Sequence, residues 1–263
     1  MGFNARLKPR ATSRSRATTL TAFALCALVA PAASGQTETQ HVNRVVKLEP
    51  GGTLRLKTFS GRVTITGTDR LDVAIDAVRR APRERLDRIT LDIHTEGSTV
   101  VVEANHRNGS DSDDRDNVVE TDFDIEVPTR ANLDVTGFSS PINVKGVEGS
   151  HRIGTFSSHL RLDDVTGPIK AHTFSGSVEI RTKAWQDRQT IDVDTFSGGI
   201  DLHIPESARG SVTFNTFSGQ LTSEMPLTLG VGRRRSLRAT LGGSDSDGAI
   251  TLKTFSGNVR IDR

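Results

Sequence analysis

Ile169-Lys170-Ala171-His172-Thr173-Phe174-Ser175-Gly176-Ser177-Val178-Glu179-Ile180 is the stretch whose pattern decides the fold. Apolar residues alternate with polar ones on both sides of a central Thr-Phe-Ser-Gly, the period-two signature of a strand with one buried face. The two alternations are out of phase. Counted forward from Ile169 and Ala171, Thr173 points inward; counted back from Ile180 and Val178, Gly176 and Phe174 point inward. A one-residue slip between Thr and Phe implies a bulge or corner that joins two strand arms. Glycine suits such a corner because it tolerates backbone angles that other residues avoid.

The same unit recurs along the chain. Thr-Phe-Ser-Gly stands at Thr58–Gly61, Thr173–Gly176, Thr195–Gly198, Thr216–Gly219 and Thr254–Gly257, with variants at Gly137–Ser140 and Thr155–Ser158. From Phe138 onward the phenylalanines are separated by 18, 18, 22, 21 and 38 residues, and the last gap is about two periods, which predicts a degenerate coil near Leu227–Leu241. Leu54 and Leu56, Ile191 and Val193, or Ile250 and Leu252 precede the unit; Val63 and Ile65, Ile200 and Leu202, or Val259 and Ile261 follow it. One such unit cannot bury its own apolar face, whereas stacked units can. The expectation is an all-β, β-solenoid or β-helix-like stack of two-arm coils of ~18–22 residues joined in sequence order, with a β-sandwich as the alternative.

Residues 1–35 have a different character. Arg6, Lys8, Arg10, Arg14 and Arg16 form a basic leader, an apolar run covers Leu20–Ala33, and small residues close it at Ala30, Ala32, Ala33, Ser34 and Gly35. This is the layout of a secretory signal peptide, which predicts an exported protein of periplasmic, cell-envelope or extracellular location. The formal charge of +2 includes the five leader cations, so residues 36–263 carry 29 cations against 32 acids, a net charge near −3. That removes the electrostatic motive for nucleic-acid binding. Cys26, the single cysteine, lies in the leader, so no disulfide or thiolate chemistry is expected of the remainder. Residues 36–263 read as one β-repeat domain, less regular over 36–128 and regular over 129–263. Pro82–Arg88 predicts a short helical crossover, and Asn105–Asn117 a solvated polar loop.

Pro50-Gly51-Gly52 leading into Leu54, Val127-Pro128 ahead of the regular region, and the repeated Thr-x-Ser-Gly units make the chain resemble the bacterial β-strand-repeat adhesin family over most of residues 40–263. The family is named for adhesion, its members have no settled function, and it supplies no catalytic residues to carry over. The resemblance implies a repetitive β fold and a binding or scaffolding role. The constant Phe goes beyond the family pattern.

Candidate chemistry is sparse. Phe59, Phe138, Phe156, Phe174, Phe196, Phe217 and Phe255 occupy one repeat position and are expected to stack into a ladder, with Gly61, Gly176, Gly198, Gly219 and Gly257 as its corner glycines. The phase places the rings inside, where each would contribute roughly 1.5–3 kcal/mol. A solvent-facing ladder would instead mark an interface. Asp111, Asp113, Asp114 and Asp116, and Asp245-Ser246-Asp247-Gly248, lack the closing Glu of a calcium loop and read as solvated loops, so neither metal nor cofactor is expected. Asp192, Asp194 and Asp201 are the carboxylates that a β-helical polysaccharide-cleaving enzyme would need together, but no clustered base or cation accompanies them, and no nucleophile elbow or zinc-binding helix is present. The expected role is therefore non-catalytic, an adhesin or scaffold, with a self-assembling filament or oligomer as the second reading. Arg233, Arg234, Arg235 and Arg238 are the candidate contacts to an envelope or surface component, whether polysaccharide, lipid head group or protein.

Overall fold

Each repeat folds as a strand, a sharp corner and a second strand, and the two strands enter different sheets. The computed structural model describes residues 36–107, 118–230, 235–243 and 248–263. The elements in chain order begin with β1 (Thr37–Lys47), β2 (Thr53–Ser60), β3 (Val63–Thr68), β4 (Asp72–Pro82), the helix α1 (Arg83–Arg88), β5 (Ile89–Glu96), β6 (Thr99–Arg107) and β7 (Glu120–Pro128). The regular region follows with β8 (Asn132–Ser139), β9 (Ile142–Lys145), β10 (His151–Thr155), β11 (Leu160–Val165), β12 (Ile169–Ser175), β13 (Val178–Thr182), β14 (Thr190–Ser197) and β15 (Ile200–His203). It ends with β16 (Gly210–Ser218), β17 (Leu221–Ser223), β18 (Leu227–Leu229), β19 (Ser236–Leu241), β20 (Ala249–Ser256) and β21 (Val259–Asp262).

The first arms build an eleven-stranded sheet in the order β18-β19-β16-β20-β14-β12-β10-β8-β2-β6-β5, which carries the phenylalanines. The second arms build a ten-stranded back sheet in the order β1-β4-β7-β3-β9-β11-β13-β15-β21-β17. Within the stack the strands are parallel and in register, Ile169 beside Ile191, Ile191 beside Ile250, and Ile250 beside Val212. The architecture is a β-solenoid-like stack. Its inner faces are close to fully buried, with Leu54, Ile65, Leu133, Ile142, Leu160, Ile180 and Ile191 at 2% exposure or less. Columns of like aliphatic residues run through the stack, and burial of each side chain is worth roughly 1.5–3 kcal/mol.

The coils do not all follow sequence order. β20 and β21 insert between the β14–β15 coil and the β16–β17 coil, so the last repeat in the chain is not the last in the stack. The 38-residue gap is therefore an excursion and not two periods. Among the described residues of Leu227–Leu241 no further corner occurs; β18 and β19 pair antiparallel, and β19 pairs with β16 and so extends the ladder sheet. At the other end the stack skips from β2 directly to β8, and β1, β4, β7, β5 and β6 cap it with mostly antiparallel pairings. The crossover helix lies at Arg83–Arg88 as expected, over a small second core of Ala81, Leu86, Ile89 and Val119. Buried Arg79 beneath it reaches Gln40 and the carbonyl of Ile89.

The corner glycines follow from close approach more than from backbone angle. A Cβ built on Gly198 would sit 1.9 Å from the carbonyl oxygen of Gly176, and one on Gly257 2.0 Å from that of Gly198. Of the five, Gly61 alone also has a left-handed φ of 99°. The inward threonines tie the corners from inside: Thr195 Oγ1 donates to the Gly198 carbonyl of its own corner at 3.1 Å, and Thr155 Oγ1 to the Ser140 carbonyl of the neighbouring coil's corner at 3.3 Å. In the variant unit, where Gly137 replaces threonine, Ser140 is fully buried and its Cβ lies 3.0 Å from where a Cβ on Gly137 would be. A side chain gained at one end of the corner fills the space lost at the other.

Candidate docking surface

The register of the ladder sheet fixes the position of the phenylalanines, and it corrects the interior placement expected from the sequence. In β12, Ile169, Ala171 and Thr173 are buried while Lys170, His172 and Phe174 are exposed, so the alternation continues unbroken through the ring. The slip falls one step later, at Ser175-Gly176-Ser177. The cause lies in the pairing: the strand ladder runs through Ser175 beside Ser197, and through Ser197 beside Ser256. Phe174 is thus still within a strand, and the threonine hydroxyl, not a ring, occupies the inner corner.

The seven rings line one outer edge of the sheet, each 41–53% exposed. They stack in the order Phe59, Phe138, Phe156, Phe174, Phe196, Phe255 and Phe217, with centroids 4.6–4.9 Å apart and planes within 13° of parallel. The spacing is the strand spacing of the sheet. Because the faces are turned toward one another, the ladder shows solvent its ring edges. Taking ~200 Å² per ring with the observed exposures gives a strip of roughly 600 Å², at the upper end of what monomeric proteins leave uncovered.

Two rows of outward side chains run beside the strip. The nearer one reads Asn215, Lys253, Asp194, His172, Gly154, Thr136 and Lys57. Around the Phe174–Phe217 half it forms a shallow, open groove whose walls include Asp194, Asn215, Lys253 and Arg235. Both signs stand on these rows, and some of the charges pair within the chain: Lys57 with Glu103 at 2.8 Å, Arg55 with Asp134 at 3.4 Å, and Lys253 with Asp192 at 3.7 Å. The Lys57 hydrogen bond holds the Glu103 carboxyl below the usual carboxylate range. The apolar strip, not a field of one sign, distinguishes this face.

The arginine cluster meets the ladder at its end. Arg235 places its guanidinium carbon 4.1 Å from the centroid of Phe217, a cation–π contact that caps the last ring. Arg238 is exposed on β19, in register with Thr213 of β16. Two features that the sequence offered separately therefore share one face. Arg233 and Arg234 lie outside the described residues, as do Asp111, Asp113, Asp114, Asp116, Asp245, Ser246 and Asp247. Among the described residues no cluster of three or more metal-ligating side chains occurs, and no helix is long and apolar enough to cross a membrane. Asp192, Asp194 and Asp201 do not converge: the first two sit on β14 in the ladder sheet, and Asp201 sits on β15 in the back sheet.

Comparison with known proteins agrees with this architecture. Residues 18–262 match the family described as Toastrack DUF4097. A crystal structure of a candidate cell adhesion protein from Clostridium sporogenes superposes with a TM-score of 0.50 at 10% identity, covering 85% of this chain and 99% of that one. A candidate adhesin from Bacteroides fragilis gives a TM-score of 0.35 at 10% identity over 85% of this chain and 96% of that one. A candidate lipid binding protein from Parabacteroides distasonis gives 0.28 at 11% identity, over 87% and 97%. At such identities the first likeness speaks for the fold alone. No curated protein matches the sequence.

Proposed function

We propose that this chain, which belongs to the Toastrack DUF4097 family, is an exported, non-catalytic adhesin or scaffold of the cell envelope that docks through its phenylalanine strip. The observation that carries this reading is the strip itself. Seven rings repeat at one position and are held 41–53% exposed by a register that keeps Thr in and Phe out. A sequence selected for the core alone would leave polar residues there, as the neighbouring outward positions do. A leader with the layout of a signal peptide at residues 1–35 supports export, and the adhesion-related neighbour in Clostridium sporogenes is consistent with a surface role. The separation of Asp201 from Asp192 and Asp194 argues against the polysaccharide-cleaving alternative.

Cosedimentation of the purified protein with washed envelopes of its host tests the reading. Saturable binding is expected, and it should be lost when Phe156, Phe174 and Phe196 are changed together to Ser. Arg235→Ser with Arg238→Ser separates the arginine end from the strip and is expected to weaken binding without abolishing it. Binding that survives loss of the three rings would refute the strip as the docking surface.

A further inference from the structure

We infer that the partner of the phenylalanine strip is a second copy of this chain, so that adhesion or scaffolding by this protein is homophilic; this rests on the docking role proposed above.

The shape of a ribbed strip limits what it can accept. Aromatic side chains that bind sugars do so with their ring faces, and here every internal face is covered by the next ring at 4.6–4.9 Å. Phe217, at one end, is covered on its outer side by Arg235. The rungs are also too close to admit another ring between them, since they repeat at the spacing of neighbouring strands, about 4.8 Å. What covers such a strip along its whole length is a straight apolar strip of the same repeat. A second copy supplies that repeat, that length and that chemistry.

Area and charge agree. The rings alone expose roughly 600 Å², close to the ~800 Å² that each partner buries in a standard stable interface. The flanking rows supply the remainder. Those rows carry both signs, so a like copy meets no field of one sign. A two-fold axis along the strand direction reverses the ladder and lays Phe217 of one copy against Phe59 of the other. Such an interface is isologous and closes as a dimer. It sets Arg235 opposite the β6 edge, where Glu103 is paired with Lys57 and no uncompensated cation stands against it. Next to His172, the middle of the nearer row, stand Gly154 and Thr136, small residues that let the two sheets approach.

Analytical ultracentrifugation of the purified full-length chain, over about a hundredfold range of concentration, decides the matter. The wild type is expected to shift from monomer to dimer with concentration. Phe156→Ser with Phe174→Ser is expected to raise the dissociation constant about thirtyfold or more, as loss of central aromatic anchors does. Gly154→Glu guards against misfolding of that variant: a Cβ there meets nothing nearer than 3.7 Å, so the fold is kept while a carboxylate stands beside Phe156 and, by the two-fold, opposite the like charge of Asp194 on the other copy. It is expected to abolish the dimer with all seven rings in place. A wild type that stays monomeric throughout, or a dimer indifferent to both variants, overturns the inference. Envelope cosedimentation separates the two levels: a monomer that still binds envelopes through the strip sinks homophilic docking alone, and one that does not bind sinks both.

Discussion

Gly198 and Gly199 are neighbours in sequence with opposite consequences for substitution. On Gly198 a Cβ would fall 1.9 Å from the Gly176 carbonyl oxygen and 2.6 Å from its carbon. Ordinary contact begins near 3.4 Å, so the strands must separate by about 1.5 Å, roughly a third of the ~4.8 Å strand spacing. Both near atoms are backbone and cannot rotate away. Forced overpacking of this kind costs about 1–3 kcal/mol, and here it also strains the corner to which Thr195 is hydrogen-bonded. On Gly199 the nearest atom is 3.6 Å away, an ordinary contact. Gly199→Ala should therefore be neutral or stabilise by up to ~1 kcal/mol through the unfolded chain. For a domain of this size, ~2–4 °C per kcal/mol places Gly198→Ala about 2–12 °C below wild type and Gly199→Ala at or slightly above it. Thermal unfolding followed by far-ultraviolet circular dichroism reads both. Equal melting temperatures for the two variants, or Gly199→Ala as the weaker protein, would refute the close-approach account of the corner.

Other expectations follow from the same geometry. Phe214→Ala, at a buried ring, should cost ~3–5 kcal/mol, whereas Phe217→Ala, three residues on and 53% exposed, should cost only ~1–2 kcal/mol; denaturant titration compares them. Thr195→Val keeps the shape but removes the corner hydrogen bond to Gly198 and should cost about 0.5–1.5 kcal/mol in the same titration. His151 is buried at an inward position, its Nε2 against the Thr166 carbonyl at 3.1 Å, and burial holds its pKa below the ordinary 6.5. The unfolded chain then binds the proton first, so this contribution to stability is full above pH 6.5 and is lost as pH falls toward the lowered folded value, at up to ~1.4 kcal/mol per pH unit. Subtracting the stability–pH curve of His151→Leu from that of wild type should isolate that slope; parallel curves would contradict it.

Much of the fold is legible in the sequence because the repeat states it many times over. Alternation around Thr-Phe-Ser-Gly predicts two arms and a corner, and the stack has seven such coils. The phase slip is also visible, but its position is not. Counting from Ile169 places Phe174 outside and counting from Ile180 places it inside; only the pairing of Ser175 with Ser197 shows that the strand runs past the ring. The insertion of β20 between β14 and β16 leaves no local mark either, since any coil with the same corner stacks on any other. A 38-residue gap between Phe217 and Phe255 is equally compatible with a hidden repeat and with an edge hairpin. The meeting of Arg235 with Phe217 was invisible for the same reason: it depends on the hairpin folding back onto β16.

The most direct test of the central claim is hydroxyl-radical footprinting of the phenylalanines by mass spectrometry, on dilute protein alone and on protein bound to envelopes. Ladder rings such as Phe156, Phe174 and Phe196 should be oxidised readily in the dilute protein, buried Phe123 and Phe214 should be protected, and the ladder should become protected on binding. A ladder as protected as Phe123 in the dilute protein would put the rings back inside, and one equally oxidised when bound would remove them from the docking surface.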